Sequence, residues 1–241
     1  GLIEVSTVLE KYGVHGLGVA YIHEAMELRQ NGIIAPIVIL CGIRSVEEAE
    51  AAVEYNLTPV IFDLTAAEIL SRAAGNRSKK ATVQVKIDTG MGRLGVPYQE
   101  SVTFIKEIKR FSSLDIEGLM SHLSSADEDD SSFTYSQIDN FEKAVASARA
   151  EGIDLHFNSL ANSAGLMAYK RSHFDMVRPG IMLYGGLPSP RFRSPVELRP
   201  AMRLSGTIIK VRDIPENTPL SYGRRYYTDG PKRIAVVSAG Y

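Results

Sequence analysis

Lys86-Ile-Asp-Thr-Gly-Met-Gly-Arg-Leu94 is the stretch that decides the predicted fold of this chain. The residues just before it, Ala81-Thr-Val-Gln-Val85, alternate in the manner of a β-strand. Gly90 and Gly92 then break the strand, and Arg93 follows with a guanidinium suited to a carboxylate or phosphate. Such an ending is typical of a barrel strand that delivers polar groups to an open mouth. It is also typical of a surface turn with solvated charges.

Strand-like and helix-like segments alternate along most of the chain. We predict strands over Gly16–Tyr21, Ile37–Leu40, Pro59–Phe62, Val83–Asp88, Ile116–Ser121, Leu155–Leu160 and Phe174–Arg178. We predict helices over Leu2–Lys11, Ile22–Gln30, Gln99–Phe111 and Gln137–Ala150, and further helices that start near Ser45, Thr65 and Asn162.

This alternation predicts parallel βαβ units. A closed (β/α)₈ barrel has eight strands, whereas the chain provides one fewer and opens with a helix. We therefore expect an α/β fold, a (β/α)₈ TIM-type barrel whose first strand lies upstream of this sequence. An open doubly wound sheet is the alternative. It is disfavoured because no Gly-x-Gly-x-x-Gly motif follows an early strand.

Local signals refine two of these segments. Ser45 is followed three residues later by Glu48, and Thr65 by Glu68, so both are predicted N-caps of capping boxes. The segment from Ser124 to Ser132 is acidic and rich in serine, which predicts a mobile loop.

The alternation stops after Tyr184. Prolines punctuate the next segment at positions 188, 190, 195 and 200. Leu204–Val211 and Ile234–Val237 are strand-like, and no helix is predicted between them. We predict a barrel domain over residues 1–196 and the start of a truncated β domain over residues 197–241.

Composition excludes several classes of partner. The 241 residues are 44% hydrophobic and 23% charged, with a formal net charge of −1, so neither nucleic acid nor a membrane surface is an expected partner. No apolar run reaches the ~18 residues of a membrane span. Cys41 is the only cysteine, which excludes an internal disulfide and fits a reducing cytoplasm. It lies in an apolar run, so a buried structural thiol is expected. No metal site is predicted.

Polar residues follow four successive predicted strands. They are Lys86, Asp88 and Arg93, then Ser121 and His122, then Asn162 and Ser163, and finally Arg178 and Gly180. In a barrel these strand ends converge on one mouth. Asn162 and Ser163 at a helix start, with the backbone of Gly180 and Ile181, predict a phosphate site. The alternatives are a plain N-cap at Asn162 and a structural role for His122.

Five motifs resemble bacterial alanine racemases and appear in the order found in that family. They are Lys86 to Gly95, Leu160-Ala-Asn-Ser-Ala164, Val177-Arg-Pro-Gly-Ile181 with Tyr184-Gly185, Ser221-Tyr-Gly223 and Ala239-Gly-Tyr241. The resemblance covers essentially the whole chain. It implies a homodimer whose subunits contain a barrel that binds pyridoxal 5'-phosphate, followed by a β domain. The implied activity is the interconversion of L- and D-alanine for peptidoglycan.

The resemblance also implies roles for individual residues. Arg93 would contact the phenolic oxygen of the cofactor and the substrate carboxylate, and Lys86 would be carbamylated and steady Arg93. Arg178 would face the pyridine nitrogen, with His122 behind it. The phosphate group would be bound by Asn162, Ser163, Gly180 and Ile181. Tyr241 would be one of two catalytic bases, its pKa lowered by Arg178 or by a charged His122.

Departures from the family pattern limit these expectations. The lysine that forms the internal aldimine in the family is absent from the sequence, so we expect the 241 residues alone to be inactive. Ser159 stands where the family often has histidine, which leaves one hydrogen bond near Arg178 unassigned. Two alternatives stay open, a non-catalytic pyridoxal-phosphate carrier and a racemase of another small amino acid such as serine.

Overall fold

A parallel β-sheet covered by helices forms the larger part of the molecule. The computed structural model describes residues 1–153 and 155–240. The chain forms two compact units, with the division between Leu198 and Arg199.

The first unit contains six strands and seven α-helices among its described residues. The strands are β1 (Leu17–Val19), β2 (Ile37–Ile39), β3 (Thr58–Ile61), β4 (Ala81–Asp88), β5 (Val96–Pro97) and β6 (Leu114–Met120). The helices are α1 (Leu2–Lys11), α2 (Ile22–Gln30), α3 (Val46–Glu54), α4 (Leu64–Asn76), α5 (Ser101–Ile108), α6 (Ser132–Ala150) and α7 (Ser163–Ala168). Short 3₁₀ turns cover Tyr98–Glu100, Lys170–Ser172 and Ile181–Tyr184.

The order of the sheet follows the order of the chain. β1 pairs with β2, β2 with β3, β3 with β4, and β4 with β6, and every pairing is parallel. The sheet continues through single parallel bridges from Met120 to Ser159 and from Ser159 to Met176. A doubly wound sheet would reverse its strand order partway. The sequential order confirms the predicted α/β fold of the barrel type.

β4 is buried on both faces, as expected of a central parallel strand. Val83, Val85 and Ile87 are fully buried and belong to the hydrophobic core. Gln84 and Lys86, which alternate with them and so point to the opposite face, are 1% and 8% exposed. One face of this strand therefore stabilises the core, and the other brings polar groups to the carboxyl end of the sheet.

The structure confirms one predicted helix N-cap and contradicts the other. Ser45 caps α3 as predicted, because its Oγ accepts the N–H of Glu48 at 3.2 Å. Thr65 is not a cap, because α4 begins at Leu64 and its N-cap is Asp63. The Asp63 carboxylate accepts the N–H of Ala66 at 2.8 Å. Thr65 lies inside the first turn, where its hydroxyl is past the capping position.

The last two predicted strands are reduced to single bridge residues, Ser159 and Met176. Side chains take over hydrogen bonds that a strand ladder would make. Asn158 Oδ1 accepts the N–H of Leu119 at 3.2 Å, and Asp175 Oδ2 accepts the N–H of Asn158 at 3.0 Å. Phe174 also adopts a left-handed φ of 48°, which interrupts an extended segment.

Two predicted helices have different bounds. α6 begins at Ser132 instead of Gln137, so the acidic loop before it is shorter than predicted. The helix predicted from Gln99 begins as the 3₁₀ turn Tyr98–Glu100, continues as α5, and ends at Ile108.

The second unit is β-structured. β7 (Ile208–Ile214) pairs antiparallel with β10 (Lys232–Val237), and β8 (Pro219–Leu220) pairs antiparallel with β9 (Tyr226–Tyr227). The predicted β-structure after the proline-rich segment is therefore confirmed. No helix in the described part of the chain is long and apolar enough to cross a membrane.

Candidate active site

The carboxyl ends of β4 and β6 meet at a narrow cavity in the first unit. Its lining includes Lys86, Asp88, Arg93, Ser121 and His122. These residues come from two of the four strand ends that the sequence predicted to converge. The structure therefore brings them together at the carboxyl-terminal edge of the sheet, which we call the rim.

Asp88 shapes the loop that carries Arg93. Its Oδ1 accepts the N–H groups of Gly90 and Met91, each at 2.9 Å, and its Oδ2 accepts that of Gly92 at 3.0 Å. An aspartate followed by glycines is the sequence signal of such a turn. The Asp88 carboxylate is thus committed to the backbone, and Arg93 begins a segment whose direction is fixed.

Arg93 is exposed at the end of this loop. It has no acidic partner within ion-pair distance among residues 1–153 and 155–240. Its charge acts on Lys86 and His122, which places the three groups in one electrostatic cluster. A guanidinium in this position can bind a carboxylate or a phosphate from solution.

Lys86 is buried beside two arginines. Burial, followed by the charges of Arg178 and Arg93, lowers the pKa of Lys86 to about 7, and Asp88 and Cys41 oppose this shift. The Lys86 amine is therefore substantially uncharged near neutral pH. A neutral amine is nucleophilic, which an ordinary surface lysine is not.

Lys86→Met is expected to raise the free energy of unfolding by roughly 2–4 kcal/mol at pH 7, because methionine has no proton to give up when the side chain is buried on folding. Since folding depresses this pKa from 10.5 to about 7, the penalty is complete below pH 7 and disappears as the pH rises toward 10.5. Urea unfolding at pH 7 and pH 10 measures the difference. The exposed Lys80 provides the control Lys80→Met, which should change stability by less than about 0.5 kcal/mol. A Lys86→Met protein that is less stable than wild type at pH 7 would contradict the pKa of Lys86.

Arg178 joins the ends of three sheet segments. Its guanidinium donates to Ser159 Oγ and to the carbonyl oxygen of Ser121, and it lies 3.4 Å from His122 Nδ1. Burial lowers the pKa of Arg178 to about 10, so the group is still a cation at neutral pH. The sequence left one hydrogen bond near Arg178 unassigned because of Ser159. In the structure this bond runs from Arg178 to Ser159, whose hydroxyl oxygen is the acceptor.

His122 is neutral, and its tautomer follows from its neighbour. An arginine has only donors, so His122 Nδ1 must accept and the ring proton must be on Nε2. Burial, followed by the charges of Arg178, Lys86 and Arg93, lowers the pKa of His122 to about 3. The alternative of a charged His122 is therefore disfavoured, because protonation would add a further cation beside Arg178 and Arg93.

His122→Gln is expected to remove part of the acid sensitivity of the fold. The pKa of His122 falls on folding from 6.5 to about 3, so its stabilising contribution is complete above pH 6.5 and is lost as the pH falls toward 3. The stability advantage of wild type over His122→Gln should therefore shrink by roughly 3 kcal/mol between pH 7 and pH 4. Urea titrations of both proteins across this range measure it. An advantage that does not depend on pH would show that His122 is an ordinary histidine.

Ser163 and the segment after Arg178 form a compact polar turn. Ser163 Oγ accepts the N–H groups of Gly180 at 3.0 Å and Met182 at 3.3 Å. A Cβ added at Gly180 would meet no atom within 4 Å, so the space in front of this backbone is open. The N–H groups of Gly180 and Met182 are satisfied inside the turn, and the Ser163 hydroxyl proton is the donor that the turn can offer to an anion.

The Asn162 side chain makes structural hydrogen bonds on both sides of its amide. Its Oδ1 accepts the N–H of Gly165 at 3.0 Å, and its Nδ2 donates to the carbonyl oxygen of Leu123 at 3.0 Å. The first bond is that of a helix N-cap, and the second connects the start of α7 to the segment that follows β6. The side chain is committed to structure, as in the plain N-cap alternative.

Tyr241, the predicted catalytic base, lies outside the described residues. Cys41 is only partly buried, and its thiol is close enough to Lys86 to raise the pKa of that amine.

Gln137 was not among the predicted site residues. It is fully buried on α6 and hydrogen-bonds to the rim segments that follow β4 and β6. The sequence signal that could have identified Gln137 is its helical spacing from Phe141, Ala144 and Ala148, which places it on the buried face of α6. A polar residue on such a stripe must find partners inside the protein.

Comparisons with known proteins agree with the geometry. Residues 1–188 match the model described as "Alanine racemase, N-terminal domain", and residues 201–241 match "Alanine racemase, C-terminal domain". The alanine racemase of Geobacter sulfurreducens is 39% identical over 244 residues, and that of Syntrophobacter fumaroxidans is 40% identical over 241 residues. Each alignment covers 100% of this chain and 64% of the relative.

Solved structures give the same result. An alanine racemase from Clostridium difficile superposes with a TM-score of 0.85 at 36% identity, covering 98% of this chain and 62% of that one. An alanine racemase from Bacillus anthracis with bound L-Ala-P has a TM-score of 0.85 at 28% identity, covering 100% and 62%. This sequence therefore spans less than two thirds of the length of these proteins. Because the N-terminal domain model alone matches most of its residues, the chain belongs to the alanine racemase family.

Proposed function

We propose that the whole protein interconverts L-alanine and D-alanine with pyridoxal 5'-phosphate as cofactor. The observation that carries this proposal is the rim cluster in which the cations Arg93 and Arg178 lie with a weakly basic Lys86 and a neutral His122, in a chain of the alanine racemase family. An amino-acid carboxylate and a cofactor phosphate are both anions that such a rim attracts.

The residues present fit the cofactor. The Ser163 hydroxyl and the backbone N–H groups of Gly180 and Ile181 would hold the phosphate in the open space in front of Gly180, and the Gly180 N–H would exchange Ser163 Oγ for a phosphate oxygen. Arg178 would face the pyridine nitrogen. When bound, pyridoxal phosphate supplies an electron sink for the charge that deprotonation leaves on the α-carbon.

Arg178 and His122 would control the protonation of the ring nitrogen. Arg178 has only donors and is a cation at neutral pH, so it would donate to an unprotonated ring nitrogen and disfavour protonation of that nitrogen. His122 keeps Arg178 in place by accepting at Nδ1 without adding charge. This arrangement weakens the electron sink, which suits a racemase because it limits side reactions.

Arg93 would bind the substrate carboxylate and the phenolic oxygen of the cofactor, since it has a free guanidinium at the end of a fixed loop. Carbamylation of Lys86 would place a negative charge next to Arg93. In that reaction the neutral Lys86 amine forms an N–C bond to carbon dioxide and releases one proton. The lowered pKa of Lys86 favours the neutral amine that this reaction needs.

Racemisation needs a base on each face of the α-carbon. Tyr241 is the proposed base on one face, on the strength of the motif Ala239-Gly-Tyr241. With His122 neutral, Arg93 and Arg178 are the cations left in the rim to stabilise a tyrosinate. The second base, the homodimer, the cytoplasmic location and the supply of D-alanine to peptidoglycan are proposed from the family resemblance.

A racemase assay on the whole protein tests the proposal. D-Alanine should form from L-alanine only with pyridoxal phosphate present, and L-serine should react more slowly. The 241 residues alone should form none. Cofactor binding by the whole protein without alanine turnover would instead favour the carrier, and faster turnover of serine would favour a serine racemase.

A further inference from the structure

Gln137 uses one side chain to join the two rim segments that carry the site. Its Nε2 donates to the carbonyl oxygen of His122 at 3.1 Å and lies 3.5 Å from Thr89 Oγ1. Its Oε1 accepts from Ser124, at 2.9 Å from the backbone N–H and 3.1 Å from the hydroxyl. Thr89 follows β4, whereas His122 and Ser124 follow β6.

A second contact extends this connection. Thr89 Oγ1 lies 2.8 Å from Ser121 Oγ, and the carbonyl of the same Ser121 accepts from Arg178. The path Gln137, Thr89, Ser121, Arg178 therefore runs from α6 to the guanidinium at the centre of the rim. Each contact is a hydrogen bond between groups that are buried or partly buried, where an unmade bond is costly.

Burial makes the position of Gln137 specific. The residue is fully buried, so its amide has no water to replace a lost partner. α6 also packs closely against the loop that follows β4. A Cβ added at Gly90 in this loop would lie 2.9 Å from Phe133 and 3.5 Å from Gln137 Cγ. The helix therefore sets the spacing of the rim segments through both packing and hydrogen bonds.

We propose that Gln137 is a positioning residue, which aligns the segments after β4 and β6 and thereby fixes the His122 ring against Arg178. Gln137 touches neither of the proposed anion-binding groups Arg93 and Ser163, so its effect passes through His122, Thr89 and Ser121. Only the cofactor-binding part of the test rests on the proposed function.

Three variants separate positioning from plain stability. Gln137→Met keeps the shape of the side chain and removes every hydrogen bond. Gln137→Glu keeps the acceptor for Ser124 but has a donor for His122 only while the introduced carboxyl is protonated. Val145→Ala is the matched control, because Val145 is buried eight residues later on the same helix. The polar groups that face position 137 are Thr89, Ser124 and the His122 peptide, and neither Thr89 nor Ser124 titrates.

The first readout is the ¹⁵N NMR spectrum of the His122 ring, assigned by its loss in His122→Gln. Wild type and Val145→Ala should show one neutral tautomer with the proton on Nε2. Gln137→Met should show a tautomer mixture, or protonation at pH 5–6. Gln137→Glu should resemble wild type at pH 5 and Gln137→Met at pH 8.

The second readout is equilibrium dialysis with pyridoxal 5'-phosphate. Gln137→Met should bind the cofactor about 2- to 30-fold more weakly than wild type, the range typical of changes along a coupled network. Val145→Ala should bind as wild type does. If wild type itself fails to bind, the proposed function fails, while the ring spectrum still tests the positioning role. A His122 spectrum in Gln137→Met that matches Val145→Ala would overturn the inference.

Discussion

Gly118→Ala is expected to lower the free energy of unfolding by at least about 4 kcal/mol, which is exceptional for adding one methyl group. A Cβ at this position would overlap the carbonyl oxygen of Phe157 and lie 3.0 Å from its Cα. Both are backbone atoms, and the N–H groups of His156 and Phe157 donate to the carbonyl oxygen of Glu117. Neither segment can move without breaking the sheet beside the rim.

Gly75→Ala is the matched control. Gly75 lies inside α4, and an added Cβ would meet only Ser113 Oγ, at 3.3 Å. Because alanine is the better helix former by ~1 kcal/mol, stability should be unchanged or slightly higher. Urea unfolding followed by circular dichroism measures both variants. A Gly118→Ala protein within about 1 kcal/mol of wild type would mean that the two segments do not approach this closely.

Arg178→Leu is expected to weaken binding of pyridoxal 5'-phosphate by at least about 100-fold. The variant loses charge-assisted hydrogen bonds, each contributing about 1.5–3 kcal/mol, and leaves the Ser121 carbonyl and Ser159 Oγ without their donor. Removal of this cation should also raise the pKa of His122, since the Arg178 charge is the second cause of its depression after burial.

Arg171→Leu is the control for Arg178→Leu. Arg171 pairs with Asp139 and Glu142 on the surface, where an ion pair contributes little to stability. Equilibrium dialysis should show unchanged cofactor affinity in this variant. Equal losses of affinity in the two arginine variants would point to a general effect of charge. They would contradict the assignment of Arg178 to the cofactor site.

Patterns local in sequence predicted the fold well. β4 was predicted within two residues of its bounds, because its alternation and the two glycines that end it are local signals. The order of the segments followed from their alternation with helices. Ser159 and Met176 were harder, since their neighbours Asn158 and Asp175 replace ladder hydrogen bonds with side-chain bonds that no period in the sequence reveals.

The candidate site was predicted in part. Convergence of Lys86, Arg93, His122 and Arg178 followed from their positions after successive strands. The protonation states did not follow, because the neutral His122 and the weakly basic Lys86 arise from burial and from the charge of Arg178, which is distant from both in sequence. Gln137 was missed for the same reason, since its partners are 13 to 48 residues away.

Competition between pyridoxal 5'-phosphate and pyridoxal tests most directly whether these rim groups form one cofactor site. Equilibrium dialysis of the purified protein should show saturable binding of the phosphate ester and at least about 10-fold weaker binding of pyridoxal, since a charged hydrogen bond contributes about 1.5–3 kcal/mol. Ser163→Ala should bring the two affinities closer together, and Arg178→Leu should weaken both. Equal affinity for the two compounds, unchanged by Ser163→Ala, would contradict the assignment of the rim as a pyridoxal-phosphate site.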